Sequence, residues 1–401
     1  MSTAPSTRYL APSTRYLAPD IARGVALLGI ALANIPTGWI ISPGADYAAD
    51  FGGVRDPGSR VDDLVVVLHA MFVHVRGLPM FTMLLGFGIG LLAQSLLRRG
   101  LPRQRVQRLL WRRYLLLGVI GVLHLVLLFS GDIIAQYAVT ALVLIALIPL
   151  RDRILLVIAW LLLGLTISFF SFTAMVAALQ PEVMVVVGGG AGAGQAETYL
   201  GYVATNLAIR GGNLAVEPVT VLMLLPLMIF GLVWARRGVL TDVAAHRTLL
   251  RTWVVVAGLV VLGIGLPWGL AAIGVLSPAL EVPLDSLNTG FGMLTGPGIL
   301  ALIALLFPGT EKQMNPWTRP FVALGRRSMS GYILQSVLFL LLTQPFTLDL
   351  GPQLGIPGQM ALGVGVWAVT VVWALVWDLR GWPGPVERVH RRLAYGRSAL
   401  P

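Results

Sequence analysis

The chain has 401 residues, 56% of them hydrophobic and 12% charged, with a mean hydropathy of +0.81; soluble domains carry roughly 25% charged residues, so an ordinary soluble domain is excluded. The net charge of +11 comes with no zinc finger, RNA-binding signature or long basic helix, so the arginines read as contacts to anionic lipid headgroups and not to nucleic acid. The chain contains no cysteine, which removes disulfides, iron–sulfur clusters and thiolate catalysis from consideration within it.

The predicted elements are membrane-spanning helices, because backbone polar groups in lipid must be satisfied within one segment and a crossing takes about 20 apolar residues. A β-barrel would show short alternating segments instead. Residues 4–10, APSTRYL, recur at 11–17. The repeat is too short for a solenoid unit, and residues 1–19 are assigned to a mobile cytoplasmic tail. The first span begins near Ile21 without a separate cleavable signal, as in a signal anchor.

Ten spans are predicted: Ile21–Ile41, Leu78–Leu97, Tyr114–Phe129, Ile133–Leu150, Ile154–Val176, Val219–Trp234, Trp253–Leu276, Phe291–Phe307, Ser328–Leu342 and Met360–Trp377. With ten crossings, the basic segments Arg98–Arg113, Arg151/Arg153, Arg236–Arg251, Lys312–Arg327 and the tail from Arg380 all fall on one side. The positive-inside rule makes that side cytoplasmic, together with both termini. The expected fold is therefore an all-α polytopic bundle over residues 20–379, followed by a basic cytoplasmic tail, 380–401, in a bacterial inner membrane. Ser42–Arg60 and Gln180–Glu217 would then be external; the run GGGAGAG (Gly188–Gly194) in the latter lacks the Gly-Lys-Ser/Thr ending of a phosphate loop. The segment Asp62–Arg76 is read as a short helix entering or lying against the membrane, or as the first half of a helix broken at Pro79.

Polar residues within apolar segments carry the functional question. Arg23 opens the first span beside Asp20, and Asn34 lies deeper in it. Asp62, His69 and Arg76 are seven apart and share one helix face. In that setting Asp62 would orient His69 as a general base, and Arg76 would hold an anion; an interfacial helix wetting its charges is the alternative. His74 is five residues from His69, a poor metal spacing, and no metal site is expected. Arg105, Arg108 and Arg112 have helical spacing and would bind an anionic cytoplasmic donor, or simply set topology. His124 interrupts an apolar span, and Asp132, Gln136 and Tyr137 follow a tight turn at Gly131. Asp132 either caps the next helix or faces a cavity. Arg326, Tyr332 and Gln335 are polar positions of a later span that would line the same cavity or cross-link helices.

Five strings dispersed along the chain, ARGVALLGIALANI (Ala22–Ile35), MFTMLLGFGIG (Met80–Gly90), GVLHLVLLFSGDIIAQYAV (Gly121–Val139), FVALGRRSMSGYILQS (Phe321–Ser336) and GPVERVHRRLAYG (Gly384–Gly396), resemble the YeiB-like, DUF418 family of bacterial membrane proteins. The opening motif, with Arg23, Gly24 and Asn34, is also distantly similar to membrane acyltransferases of the heparan-glucosaminide acetyltransferase-like group. That group has an external histidine after its first span, which His69 or His74 would match, although the local string that would align it is missing. The closer family often carries tryptophan where His390 stands, which argues against a catalytic His390.

The resemblance implies an acyltransferase-like protein, and the polar residues read above supply His69, His124 and Asp132 as catalytic candidates. Arg23, Asn34, His74, Arg76, Tyr137, Arg326 and Gln335 would bind substrate, and Arg105, Arg108 and Arg112 would bind the donor. An acyl-coenzyme A donor would act as a substrate, with an envelope glycan or lipid as acceptor and no resident cofactor. The other class is a transporter or flippase of a small or lipid-linked metabolite, supported by glycine and proline within spans. Membrane lipids are expected partners, and glycine-rich helix faces admit a homodimer.

Overall fold

The computed structural model describes residues 15–40, 51, 55–56, 58–180, 196–212, 217–351 and 353–396. Residues 1–14 of the duplicated heptapeptide region, 41–50 of the first external segment and the 188–194 glycine run lie outside them. Among the described residues the structure is helical, with one isolated bridge between Tyr16 and Thr310 and no strand.

Helix α1, Leu17–Asn34, runs on through a π-helical turn, Ile35–Trp39, at the proline of its first turn. It starts earlier than expected. Leu17 N–H donates to Gly309 O, Glu311 N–H donates to Arg15 O, and Arg15 pairs with Asp20 at 2.6 Å. These contacts fix residues 15–19, which the hydropathy pattern assigns to a mobile tail.

Helices α2 (Arg60–Phe72) and α3 (Gly77–Arg98) form one apolar stretch of 39 residues. At 1.5 Å per residue that is about 58 Å, well beyond a hydrocarbon core of about 30 Å. Asp62–Arg76 is thus the first half of a long, interrupted helix. The interruption falls at Val73–Arg76 and not at Pro79, and it holds Val75 at φ 54°. A β-branched residue in the left-handed region is costly.

The remaining helices are α4 (Arg103–Leu127), α5 (Ile134–Leu147), α6 (Asp152–Leu179), α7 (Tyr199–Gly212), α8 (Glu217–Arg237), α9 (Arg247–Val260), α10 (Leu266–Ala272), α11 (Glu281–Gly292), α12 (Thr295–Leu306), α13 (Arg319–Arg326), α14 (Ser328–Thr343), α15 (Ile356–Leu379) and α16 (Pro385–Tyr395). A π-turn, Val261–Gly265, joins α9 to α10. Seven helical stretches among the described residues are long and apolar enough to cross a membrane, or eight if the α11–α12 pair, bent by 56°, counts as one. Helices α5 and α14 are apolar but have only 14 and 16 residues.

Burial separates the centre from the rim. The α8 stretch is 72% buried, whereas α6 and α15 are 28% and 22% buried. With equally apolar residues on both faces, α6 and α15 turn leucine and valine side chains such as Leu161, Leu165 and Val372 outward, where lipid is their solvent. At the centre, α3 and α8 cross with their backbones in contact. A Cβ added to Gly86 would meet the Met228 carbonyl, and one added to Gly231 would meet the Met83 carbonyl. Small residues at a crossing let helices approach this closely in lipid.

The basic breaks are tied to one another. Arg236 reaches Asp152 (3.0 Å), and Arg319 and Arg327 both reach Asp378 at 3.2 Å. Arg112 donates to Leu393 O, linking the start of α4 to α16. Most of these junctions form the arginine end of the bundle. Helix α16 is part of that assembly, not a free tail.

Candidate functional site

A cavity of about 380 Å³ lies between α1, α3, α4, α5, α13, α14 and α16. One part of its wall is charged: Arg15, Arg23, Arg113, Arg326 and Arg391, with Glu387 and His390. Its apolar wall includes Leu27, Ile30, Phe81, Leu85, Leu117 and Ile134, and the tyrosines Tyr137 and Tyr332 also line it.

The charges are partly paired. Asp20 accepts from Arg15 and Arg23, and Arg326 reaches Glu311 (2.7 Å), Asp20 (3.5 Å) and, more loosely, Asp378 (3.9 Å). Arg113 donates to the Tyr395 hydroxyl at 3.0 Å and also lies over that ring. Five guanidinium groups around one apolar cavity make a region that favours anions.

Helix α16 closes part of this wall. Glu387 accepts from the backbone N–H groups of Met329 and Ser330 at the start of α14 and from the Ser330 hydroxyl, a carboxylate at a helix N-terminus. His390 Nε2 lies 2.8 Å from Arg113 O and donates to it. Burial first, and then the Arg113 charge, push the His390 pKa down to about 4, partly offset by that hydrogen bond. The group is therefore neutral when docked, and undocked chain binds the proton more readily. Docking of α16 is accordingly at full strength above the free value of about 6.5 and weakens as pH falls toward 4. Hydrogen exchange of the α16 amides, corrected for intrinsic rates, is expected to show protection falling at least tenfold between pH 7.5 and 5. His390→Phe should flatten that dependence; an unchanged slope in the variant would assign it to another group.

Beside the tyrosines lies a buried constellation. His124 Nδ1 is 2.8 Å from Asp132 Oδ1, and the two side chains are 1% and 0% exposed. This contact is close but not aligned as a hydrogen bond. The other carboxylate oxygen accepts from Ala135 N–H at 2.9 Å, the helix-capping role expected of Asp132. His124 Nε2 is 2.8 Å from Ser336 Oγ, and the Tyr332 ring lies over the imidazole at 5.0 Å. An imidazole nitrogen this near a carboxylate oxygen needs a proton between them. The tautomer sets the second contact: a proton on Nδ1 makes Nε2 an acceptor for the Ser336 hydroxyl, and a proton on Nε2 makes Ser336 Oγ the acceptor while its hydroxyl donates to Tyr332 O.

The structure divides the remaining candidates. Arg23, Tyr137 and Arg326 line the cavity. Gln335 does not; its amide reaches Leu27 O and Thr370 at 3.4 and 3.5 Å, bridging α14 to α1 and α15. Asn34 is half-buried where α1 passes into the π-turn. Arg105, Arg108 and Arg112 are exposed and outside the cavity wall. Their neighbour Arg113 does line it.

His69, His74 and Arg76 form a separate buried cluster around the α2–α3 interruption. Asp62 does not orient His69. Its carboxylate is occupied by Ser59 Oγ (2.6 Å) and Asp56 N–H (3.0 Å), at the start of the helix. His69 Nε2 is 3.4 Å from Leu32 O, and His74 lies edge-on to Trp268 and 3.3 Å from the Asn288 amide. Arg76 donates to Met71 O and Asn288 Oδ1 at 2.9 and 2.6 Å, and more weakly to Ala70 O and Val75 O. Its guanidinium is thus engaged by carbonyls and an amide. No group of three or more metal-ligating side chains occurs among the described residues.

Sequence reasoning passes over Arg15, Arg113, Arg391 and Ser336. A single serine in an apolar helix ordinarily back-bonds to the carbonyl four residues earlier, and Ser336 Oγ does lie 3.3 Å from Tyr332 O. Nothing in its local sequence distinguishes it.

Two comparisons bear on this arrangement. Residues 234–397 match the family model described as "Protein of unknown function (DUF418)". That span includes Arg326, Tyr332, Ser336, Glu387 and His390. Over 402 aligned residues the chain is 23% identical to "Uncharacterized protein YxaH" of Bacillus subtilis (strain 168), covering 94% of this chain and 93% of the relative.

Proposed function

We propose that this chain, which is DUF418 over residues 234–397, is a membrane acyltransferase that moves an acyl group from an anionic thioester donor to a hydroxyl or amine acceptor. One observation carries the reading: a single cavity is lined both by five arginines and by Tyr332, whose ring covers the buried His124–Asp132 pair. Arg113 and His124 are eleven residues apart on α4, about 16 Å along the axis. A donor with its phosphates among the arginines and its carbonyl on an extended arm spans that distance. His124 then acts as the general base, with Asp132 holding its tautomer and stabilising the imidazolium. The arginine end faces the cytoplasm of a bacterial inner membrane, as the positive-inside rule asks. The short helices α5 and α14 and the bent α11–α12 pair each cross, giving ten spans and both termini inside. The acceptor is an envelope glycan or lipid approaching from the opposite side.

The test is equilibrium binding of acetyl-coenzyme A to the purified protein in nanodiscs. A charge-assisted hydrogen bond contributes about 1.5–3 kcal/mol, so Arg113→Gln should weaken binding by roughly 10- to 100-fold. Arg105→Gln and Arg108→Gln should leave it unchanged. No saturable binding of acetyl- or long-chain acyl-coenzyme A, or equal losses at all three arginines, would overturn the reading.

A second reading, transport, draws on the interruptions near Arg76. The α2–α3 break, the π-turn after α9 and the end of α11 meet there: Cβ atoms added to Gly265 and Gly292 would fall 3.1 and 2.9 Å from its guanidinium nitrogens. Interrupted helices converging on a buried charge are a feature of carriers. Solute uptake into proteoliposomes that Arg76→Gln abolishes and Arg113→Gln leaves intact would favour it.

A further inference from the structure

We infer that Ser336 is a nucleophile that carries the acyl group covalently between donor and acceptor. The inference rests on the acyl-transfer reading for what Ser336 carries, but its reactivity is argued from geometry alone. Ser336 Oγ, His124 and Asp132 are in close succession, 2.8 Å from Oγ to Nε2 and 2.8 Å from Nδ1 to Oδ1, the second contact not aligned as a hydrogen bond. Ser336 is 2% exposed, His124 3% and Asp132 2%. A nucleophile hydrogen-bonded to a base that a third group orients is the signature of an activated hydroxyl, and it is recognised by geometry on unrelated folds. The three residues come from α14, α4 and the turn before α5, so no local sequence pattern requires them to meet. A structural serine needs only its carbonyl four residues back, and Ser336 is already within 3.3 Å of that oxygen. The hydroxyl has one proton: given to Tyr332 O it leaves Oγ to accept from His124 Nε2–H, and turned toward the imidazole it makes Nε2 the base, which is the arrangement the nucleophile uses.

Tyr332 is one helical turn from Ser336, lines the cavity and covers the imidazole at 5.0 Å. Removing its ring would open the cavity toward the imidazole and the serine one turn on. On the other side, Trp39 stacks on Phe129 at 4.5 Å and lies 5.5 Å from Phe339, three residues beyond Ser336. The serine therefore lies between a donor cavity and an aromatic cover facing the opposite end of the bundle. That placement suits a relay better than direct transfer, because donor and acceptor need not share one space.

The steps balance. Ser336 Oγ attacks the thioester carbonyl as its proton passes to His124 Nε2. The C–S bond breaks, the thiolate takes that proton from His124, and the serine ester and free thiol remain. In the second half an acceptor hydroxyl gives its proton to His124 and attacks the ester. The Oγ–C bond breaks, Ser336 recovers the proton and the acylated acceptor leaves.

The experiment is intact-protein mass spectrometry after incubating the full chain in nanodiscs, first with a fluorophosphonate and separately with acetyl-coenzyme A. Fluorophosphonates report an activated serine whatever the natural donor. Ser336 is expected to take one fluorophosphonate adduct, with the labelling rate falling at least 100-fold in His124→Asn and at least tenfold in Asp132→Asn. Tyr332→Ala should speed labelling, which a purely structural serine would not allow. Acetyl-coenzyme A should add one acetyl group at the same residue. Adduct at Ser336 with fluorophosphonate but not with the thioester sinks the thioester donor and leaves the nucleophile standing. Saturable thioester binding with no adduct from either reagent, in both the wild type and Tyr332→Ala, overturns the nucleophile and leaves the donor reading standing.

Discussion

Replacing His124 by alanine is expected to destabilise the folded protein by about 1–3 kcal/mol, the range for leaving a buried polar group without its partner. Asp132 is buried, and its carboxylate meets the Ala135 N–H and His124. Without the imidazole, its carboxylate must lose charge or draw in water. The size of the penalty comes from the charge left behind, not from the packing lost. A double variant, His124→Phe with Asp132→Ser, should therefore recover most of the stability. Phenylalanine refills the space under Tyr332, and serine retains an oxygen for the helix cap. That double variant should nevertheless be inactive in any assay the wild type passes. Thermal unfolding of the three proteins in one detergent checks the order: wild type, then double variant, then His124→Ala. A double variant no more stable than His124→Ala would show that the carboxylate is not the source of the penalty.

The same pair shows how far the amino-acid order alone reaches. His124 and Asp132 are legible because ionisable residues inside apolar spans are rare and costly, and a tight turn has to bring their helices together. Ser336 is not legible, because its partnership with His124 exists only through the meeting of two helices more than 200 residues apart. The arginines of α4 differ in helical phase. At about 100° per residue, Arg105, Arg108 and Arg112 point about 100–160° away from His124, while Arg113 lies within about 20° of it. Counting back from the buried histidine in place of grouping the arginines by spacing selects Arg113. The helical bundle itself follows from hydropathy, since lipid leaves few alternatives. Span count follows less well, because α5 and α14 are shorter than a bilayer core and α11–α12 is bent. The interruption at Val73–Arg76 has no helix-breaking residue within it; its causes are tertiary, with Arg76 satisfying carbonyls that the break releases.

Introducing a side chain at the central crossing should have the largest effect on folding. Gly231→Leu is expected to leave little or no monodisperse protein on fluorescence-detected size exclusion, and Gly86→Leu to behave the same way. The reason is that both sites face backbone: the Met83 carbonyl for Gly231 and the Met228 carbonyl for Gly86. A side chain can change rotamer to admit a new neighbour, but a helical carbonyl held in its own hydrogen-bond ladder cannot. Overpacking that flexible side chains absorb costs about 1–3 kcal/mol. Here relief requires the two helices to part, and α8 is the most buried of the spanning helices among the described residues. Separation would strip contacts from its whole length. Gly164, in the middle of α6, has open space within 4 Å of where a Cβ would stand. Gly164→Ala should stabilise instead, by roughly 0.5–1 kcal/mol from the helix-interior preference for alanine over glycine. The two outcomes together separate close approach from helix propensity. Equal losses at Gly164 and Gly231 would mean that glycine acts here through backbone freedom, and normal assembly of Gly231→Leu would mean that α3 and α8 do not cross as closely as described.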